Sequence, residues 1–191
     1  MPFRREKNLL KDGVSAKWRW SAIWAMLSWE VCNRKDASMS STSTRELIRH
    51  KGAVAVVPLF PDHTVAVEEQ YRYAVGKILI EIPAGKLDSP DEDREAAAKR
   101  ELREETGLVA GKLTCLGDYY GSPAIVDERI TLYLATELSE GEKSLDDDEF
   151  LSVRRIPLSD LADAILRGEI PDGKTQAALS RVMLMVERKQ I

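Results

Sequence analysis

The stretch RELREETGL at 100–108 sets Glu101, Glu104 and Glu105 within about one turn of a strongly helix-forming segment. Positions i, i+3 and i+4 share a helical face, and a like-charged i,i+4 pair costs about 0.2–0.5 kcal/mol. Two chemistries fit such a cluster. The carboxylates form a solvated acidic face, or a cation between Glu101 and Glu105 turns their repulsion into attraction. The text upstream favours the second: a run ending in IPAG, then a loop, then Glu92, and only then the helix. A glycine-containing loop packed on a carboxylate-bearing helix makes a compact oxygen-rich pocket. Hard divalent cations such as Mg²⁺ take oxygen ligands and bind through a few carboxylates plus substrate phosphates.

The elements that must position these groups are legible around them. AVAVVPLF at 53–60 and TVAVEEQYRY at 64–73 are rich in β-branched and aromatic residues, and PDH at 61–63 between them predicts a hairpin. KILIEIPAG at 77–85 predicts a third strand ending at Pro83 and Gly85. REAAAKRELREET at 94–106 predicts a helix, with Gly107 where a left-handed C-terminal cap belongs. Further strands are expected near 112–120, 129–137 and 150–156. Ser159 is expected to cap a helix over LADAILR that stops at Gly168. Ala178, Leu179, Val182, Met183 and Val186 mark a last helix over 174–189. Strands and helices mix without regular alternation, which argues for α+β rather than a doubly wound sheet.

Gly85, Glu92, Arg100, Glu101, Leu102, Glu104, Glu105, Gly107 and Leu108 together resemble the signature of the Nudix hydrolases. One departure is plain: six residues, KLDSPD, separate Gly85 from Glu92, one more than the signature has. The extra residue falls in a Ser-Pro-Asp loop, where insertions are tolerated. Asp91 would restore that gap and spoil the next one, so Glu92 is the better match. From about Thr44 to Met185 the chain is similar to the ADP-ribose pyrophosphatase branch, through STRELIRHKGAVAVVPL, EEQYRYAVG, EIPAGKLD, SPAIVDER, DDDEFLSV and GEIPDGKTQAAL, with Pro123 about fifteen residues beyond the signature.

The resemblance implies an α/β/α Nudix sandwich around a mixed β-sheet. It implies Mg²⁺-dependent hydrolysis, with Mn²⁺ as the alternative, of the diphosphate in a nucleoside diphosphate sugar. It also implies a homodimer with exchanged N-terminal strands. Glu101 and Glu105 are then metal ligands, joined by Glu104 and the Ala84 carbonyl, while Glu92 and Arg100 hold loop to helix through an ion pair. The base of this branch comes from a mobile acidic loop, here DDDEF at 146–150, with Glu149 favoured and Asp147 the runner-up. Without the family context that stretch reads as a solvated acidic turn. Glu128 has two roles open to it, a metal or ribose contact and a structural pairing with Arg129. Arg72 beside the pocket is a candidate phosphate clamp, the alternative being a surface arginine. His50 and His63 read as loop or turn residues without a catalytic partner pattern.

The rest of the chain bounds these expectations. At 191 residues with net charge −4, the protein is one ordinary domain with an appendage, and it lacks the basic face of a nucleic-acid binder. Cys32 and Cys115, without CxxC spacing, indicate neither a disulfide framework nor a zinc site and suit a reducing cytoplasm. SAIWAMLS at 21–28 is too short to span a bilayer. Basic residues precede it, but Trp29, Glu30 and Val31 follow where a secretory leader needs small residues, so a soluble extension is expected. Residues 1–45 hold all four tryptophans and the polar tract SMSSTST, and read as an atypical extension and linker packed on the main domain or a second subunit. The hydrolase domain occupies 46–191. Two other functions are weighed: cleavage of another nucleoside diphosphate sugar such as GDP-mannose, and a sensor that binds ADP-ribose without cleaving it. The second is disfavoured because every signature carboxylate is present.

Overall fold

Every residue of AVAVVP is buried, so this strand has no solvent side to mark with polar residues and must lie at the centre of the fold. The computed structural model describes residues 47–141 and 151–191, together with the backbone of two short strands, β1 (Arg34–Lys35) and β2 (Thr42–Ser43). The chain divides into two compact units. In the first, formed by Met1–Arg49 with Ala124–Val126, β1 and β2 pair antiparallel and Ile48 donates its N–H to the Ile125 carbonyl at 2.7 Å. The tryptophans of the N-terminal extension lie outside the described residues.

The second unit, His50–Pro123 with Asp127–Ile191, is the α+β body. Its four-stranded mixed sheet runs β6 (Ala84–Lys86), β3 (Ala53–Pro58), β8 (Ile130–Glu140), β7 (Leu108–Tyr119), with β3 parallel to β8 and the other pairs antiparallel. A second, antiparallel sheet runs β5 (Lys77–Glu81), β4 (Thr64–Arg72), β9 (Leu151–Pro157). Helix α1 (Arg94–Thr106) covers one face of the first sheet. Helices α2 (Leu158–Leu166) and α3 (Gly173–Glu187) lie on the other side. The alternation of β3 makes the two cores: Val54 and Val56 pack with Ala97, Ala98 and Leu102 of α1, while Ala55 and Val57 pack with Leu161, Leu179 and Val182. Strand β7 carries a bulge between Cys115 and Gly117, and Arg181 of α3 donates there to the carbonyls of Leu116 and Asp118.

Two expectations change. The hairpin over 53–73 closes at Phe60–Thr64 and a single Leu59–Val65 bridge, after which β3 and β4 enter different sheets. β3 takes β8 and β6 as partners because a strand apolar on both faces gains most between helices. Ser159 does not cap α2. Pro157 holds the N-cap position, no side chain caps there, and the Ser159 hydroxyl donates instead to Asp160. Among the described residues no helix is long and apolar enough to cross a membrane.

Candidate active site

Helix α1 starts because Asp93 accepts from the Ala96 N–H at 2.7 Å, and it stops because Gly107 takes φ 73°. These two caps set where the helix begins and ends, and the packing of Ala97, Ala98 and Leu102 against Val54 and Val56 decides which carboxylates turn inward. Glu101 and Glu105 are buried, 8% and 3% exposed, whereas Glu104 is half-buried. Two buried anions on one face need compensation. Glu105 accepts from the Ala84 N–H at 2.9 Å, and a Cβ placed on Gly85 would lie 2.0 Å from the Glu101 Cδ. The signature glycine is therefore the space in which the Glu101 carboxylate sits.

The positive group beside the cluster is Arg100. Its Nη1 donates to Glu101 at 2.7 Å and to Glu104 at 3.2 Å, and its Nη2 to Glu92 at 3.3 Å. Burial works against its charge, but Glu101, Glu104 and Glu92 outweigh that and hold the guanidinium firmly protonated. Glu92 also accepts from the Asp88 N–H at 2.6 Å and so closes the longer loop. Leu87, 2% exposed, anchors that loop while 88–91 lie at the surface, which is why one extra residue leaves the Glu92–Arg100 pair within reach. Arg100 holds Glu101 and Glu104 on one side and the Ala84 N–H holds Glu105 on the other. Among the described residues no three carboxylates, imidazoles or thiolates therefore converge on one point. The donor chemistry still suits a hard cation: oxygen ligands only, two of them buried, beside a glycine cradle that a Cβ would fill.

Ala84 and Gly85 form part of the wall of a cavity of about 330 Å³, also lined by Arg72, Lys86, Tyr119, Glu128, Asp172 and Lys174. Arg72 is there as expected, but it is not free to swing. Its Nε and Nη2 donate to Glu81 at 2.6 and 2.7 Å, and Lys174 pairs with the same carboxylate. Lys174 stands in place because Asp172 caps α3 and its Oδ2 also accepts from Lys174 at 3.1 Å. The Thr175 hydroxyl in turn accepts from the Ile82 N–H at 3.0 Å, which docks the helix start on the chain crossing between the two sheets. Burial pushes the Glu81 carboxyl up, but Arg72 and Lys174 outweigh it and hold it below its ordinary value. Glu81→Gln is therefore expected to cost about 2 kcal/mol at neutral pH, below the usual figure for breaking a buried pair because Arg72 is 40% exposed. A depressed folded value contributes stability above the ordinary carboxylate range and loses it as pH falls through that value. The difference in urea midpoint between wild type and variant is expected to close in acid.

Glu128 lines the cavity, and the pairing with Arg129 does not form: Arg129 goes to Asp118 at 2.9 Å. His50 lies in a loop, as expected, and its ring faces Glu128 at 3.4 Å. Asp147 and Glu149 lie outside the described residues. Glu81, Lys174, Asp172 and Tyr119 escaped the sequence reading, although DGKT at a helix start carries the signal for two of them.

A match to the NUDIX domain family spans residues 49–178. The chain belongs to the Nudix family. It is 40% identical over 144 residues to the ADP-ribose pyrophosphatase of Bacillus subtilis (strain 168), covering 74% of this chain and 77% of the relative. It is 32% identical over 157 residues to a GDP-mannose pyrophosphatase of Escherichia coli, covering 73% and 81%. A solved structure titled as an ADP compounds hydrolase aligns with TM-score 0.71 at 23% identity, covering 85% of this chain and 94% of that one, which shows the shared Nudix fold. Nudix hydrolases use divalent metal ions, in keeping with the oxygen-only donor set beside Gly85.

Proposed function

We propose that this Nudix hydrolase cleaves the diphosphate bond of ADP-ribose to AMP and ribose 5-phosphate. The observation that carries this reading is the juxtaposition of two buried carboxylates, directly behind Ala84 and Gly85, with a cavity also lined by Arg72, Lys86 and Lys174. A dianionic linker needs cations on both sides, and the chain supplies one side itself. Mg²⁺, or Mn²⁺ in its place, held by Glu101, Glu104, Glu105 and the Ala84 carbonyl, supplies positive charge against the diphosphate oxygens and lowers the pKa of water.

The chain's own groups do the rest. Arg72, preset by Glu81, offers its guanidinium edge to a phosphate. Glu128, in the same cavity lining, contacts a ribose hydroxyl or the metal. Glu149, with Asp147 the runner-up, takes the proton of the attacking water as the P–O–P bond breaks. Two relatives 40% identical are ADP-ribose pyrophosphatases and a third at 40% is a methanol dehydrogenase activator of Bacillus methanolicus, against 32–33% for the GDP-mannose enzymes, which favours the adenine substrate.

One assay tests this: release of AMP and ribose 5-phosphate from ADP-ribose, set beside GDP-mannose, with Mg²⁺ and with a chelator. Turnover of ADP-ribose that stops with the chelator is expected. Glu149→Gln is expected to lower kcat with little change in KM, and a silent Glu149→Gln with an impaired Asp147→Asn would move the base to Asp147. Stoichiometric binding without product would leave a sensor in place of an enzyme. We further place the protein in the cytoplasm as a homodimer. Exposed Tyr71, Tyr73, Val75 and Ile78 on the β4–β5 hairpin form an apolar surface suited to a second copy, and light scattering of the same sample reads the mass.

A further inference from the structure

The ring of His50 is fixed from two sides. The Gly52 N–H donates to His50 Nδ1 at 3.1 Å, so this nitrogen carries a lone pair. In the neutral imidazole the proton is then on Nε2. Nε2 lies 3.4 Å from a carboxylate oxygen of Glu128, and the two side chains are 10% and 32% exposed. The contact is mostly shielded, while Glu128 still opens onto the cavity. The backbone N–H of His50 donates to Asp127 at 2.7 Å, which fixes the residue next to Glu128 as well.

The other end of this arrangement reaches the loop that follows Gly85 and strand β6. The Gly52 carbonyl accepts from the Leu87 N–H at 3.1 Å, and Leu87 is the buried anchor of that loop. Hydrogen bonds thus join Leu87, Gly52 and His50, and the ring places its Nε2 3.4 Å from Glu128, which lines the cavity. Among the common side chains imidazole alone combines, at this reach, an acceptor on one nitrogen with a donor on the other. Lysine has no acceptor, and a primary amide cannot place both groups where the ring does.

We propose that His50 is a positioning residue for the cleavage reaction: its Nε2–H orients Glu128 toward the bound nucleoside diphosphate sugar and references it, through Gly52, to the Leu87 loop that follows β6. This rests on the proposed hydrolase function. The geometry separates His50's two contacts experimentally. His50→Asn keeps an acceptor near Nδ1 for Gly52 but falls short of Glu128. His50→Gln reaches Glu128 with an amide donor but gives up the ring acceptor.

Both variants are measured for kcat and KM on ADP-ribose with Mg²⁺ and for Tm, alone and combined with Glu128→Gln. His50→Asn is expected to lose roughly 10-fold in kcat/KM at unchanged Tm. His50→Gln is expected to recover most of that loss, and His50→Asn to cost nothing further once Glu128 is Gln. Nitrogen NMR of the two histidines is expected to show His50 as the Nε2–H tautomer, with a resonance that moves in Glu128→Gln. The proposal is overturned by a His50→Asn protein with wild-type turnover, by an equal loss in both backgrounds, or by an Nδ1–H tautomer. A wild-type protein that cleaves no substrate removes the hydrolase reading and this proposal together. A cleaving wild type with an indifferent His50→Asn removes this proposal alone.

Discussion

Replacing Glu105 with glutamine is expected to lower kcat on the order of 10³-fold at saturating Mg²⁺ while the folded state survives. The amide oxygen can still accept from the Ala84 N–H, so the 2.9 Å contact that seats the side chain persists. What disappears is one unit of negative charge, and the charge stabilisation of a bound cation is worth several kcal/mol at the transition state, about three decades in rate. Stability is expected to change by no more than about 1 kcal/mol, because losing one of two like charges at i,i+4 also relieves a repulsion. A kcat measurement beside a urea titration checks both statements. Unchanged turnover would remove Glu105 from the metal ligands.

Gly85→Ala is expected to leave a folded protein with almost no activity. The added methyl would stand 2.0 Å from the Glu101 Cδ and within 2.2 Å of both its oxygens. A carboxylate is the far end of a flexible chain, so it can swing clear at a cost of about 1 kcal/mol of overpacking. Swinging clear is what disables the site. Misplacing a reacting group by about 1 Å costs on the order of 10²-fold, and here the carboxylate proposed as a metal ligand moves further than that. Mn²⁺ titration calorimetry is the decisive measurement, since weakened binding in a folded variant separates a lost ligand from a lost fold. Wild-type affinity would mean that Glu101 is not where the cation is held.

What the sequence disclosed follows how local each interaction is. Helix α1 begins and ends where its residues predict because capping is chemistry between near neighbours: Asp93 reaches Ala96, and Gly107 supplies its own left-handed turn. The carboxylate cluster was legible for the same reason. Partner choice among strands was not. β-Branched and aromatic content places 53–60 and 64–73 in strands, but says nothing of β8 as the parallel neighbour of β3 from far along the chain. The unbroken apolar run AVAVVP was the available hint. Arg100 was recognised through Glu92 and not as counter-ion to Glu101 and Glu104, because its rotamer is decided by the depth of the loop beside it. His50 and Glu128 meet only after the chain has folded, and no pattern of spacing announces such a pair.

The irregularity in β7 has a consequence for the shape of the cavity wall. Before it, Leu113 and Cys115 stand opposite Ala135 and Tyr133, on the side of α1; after it, Gly117 and Tyr119 stand opposite Leu132 and Ile130, on the other side. One surplus residue has thus swapped the parity of the strand partway along, so that odd-numbered positions change allegiance from one layer to the other. Tyr119 owes its place beside Gly173 and Lys174 to that switch. Were Leu116 itself to pair with Leu132 in an unbroken ladder, the tyrosine would turn toward α1 and Asp118 would come round in its stead, an acid where an aromatic ring now stands.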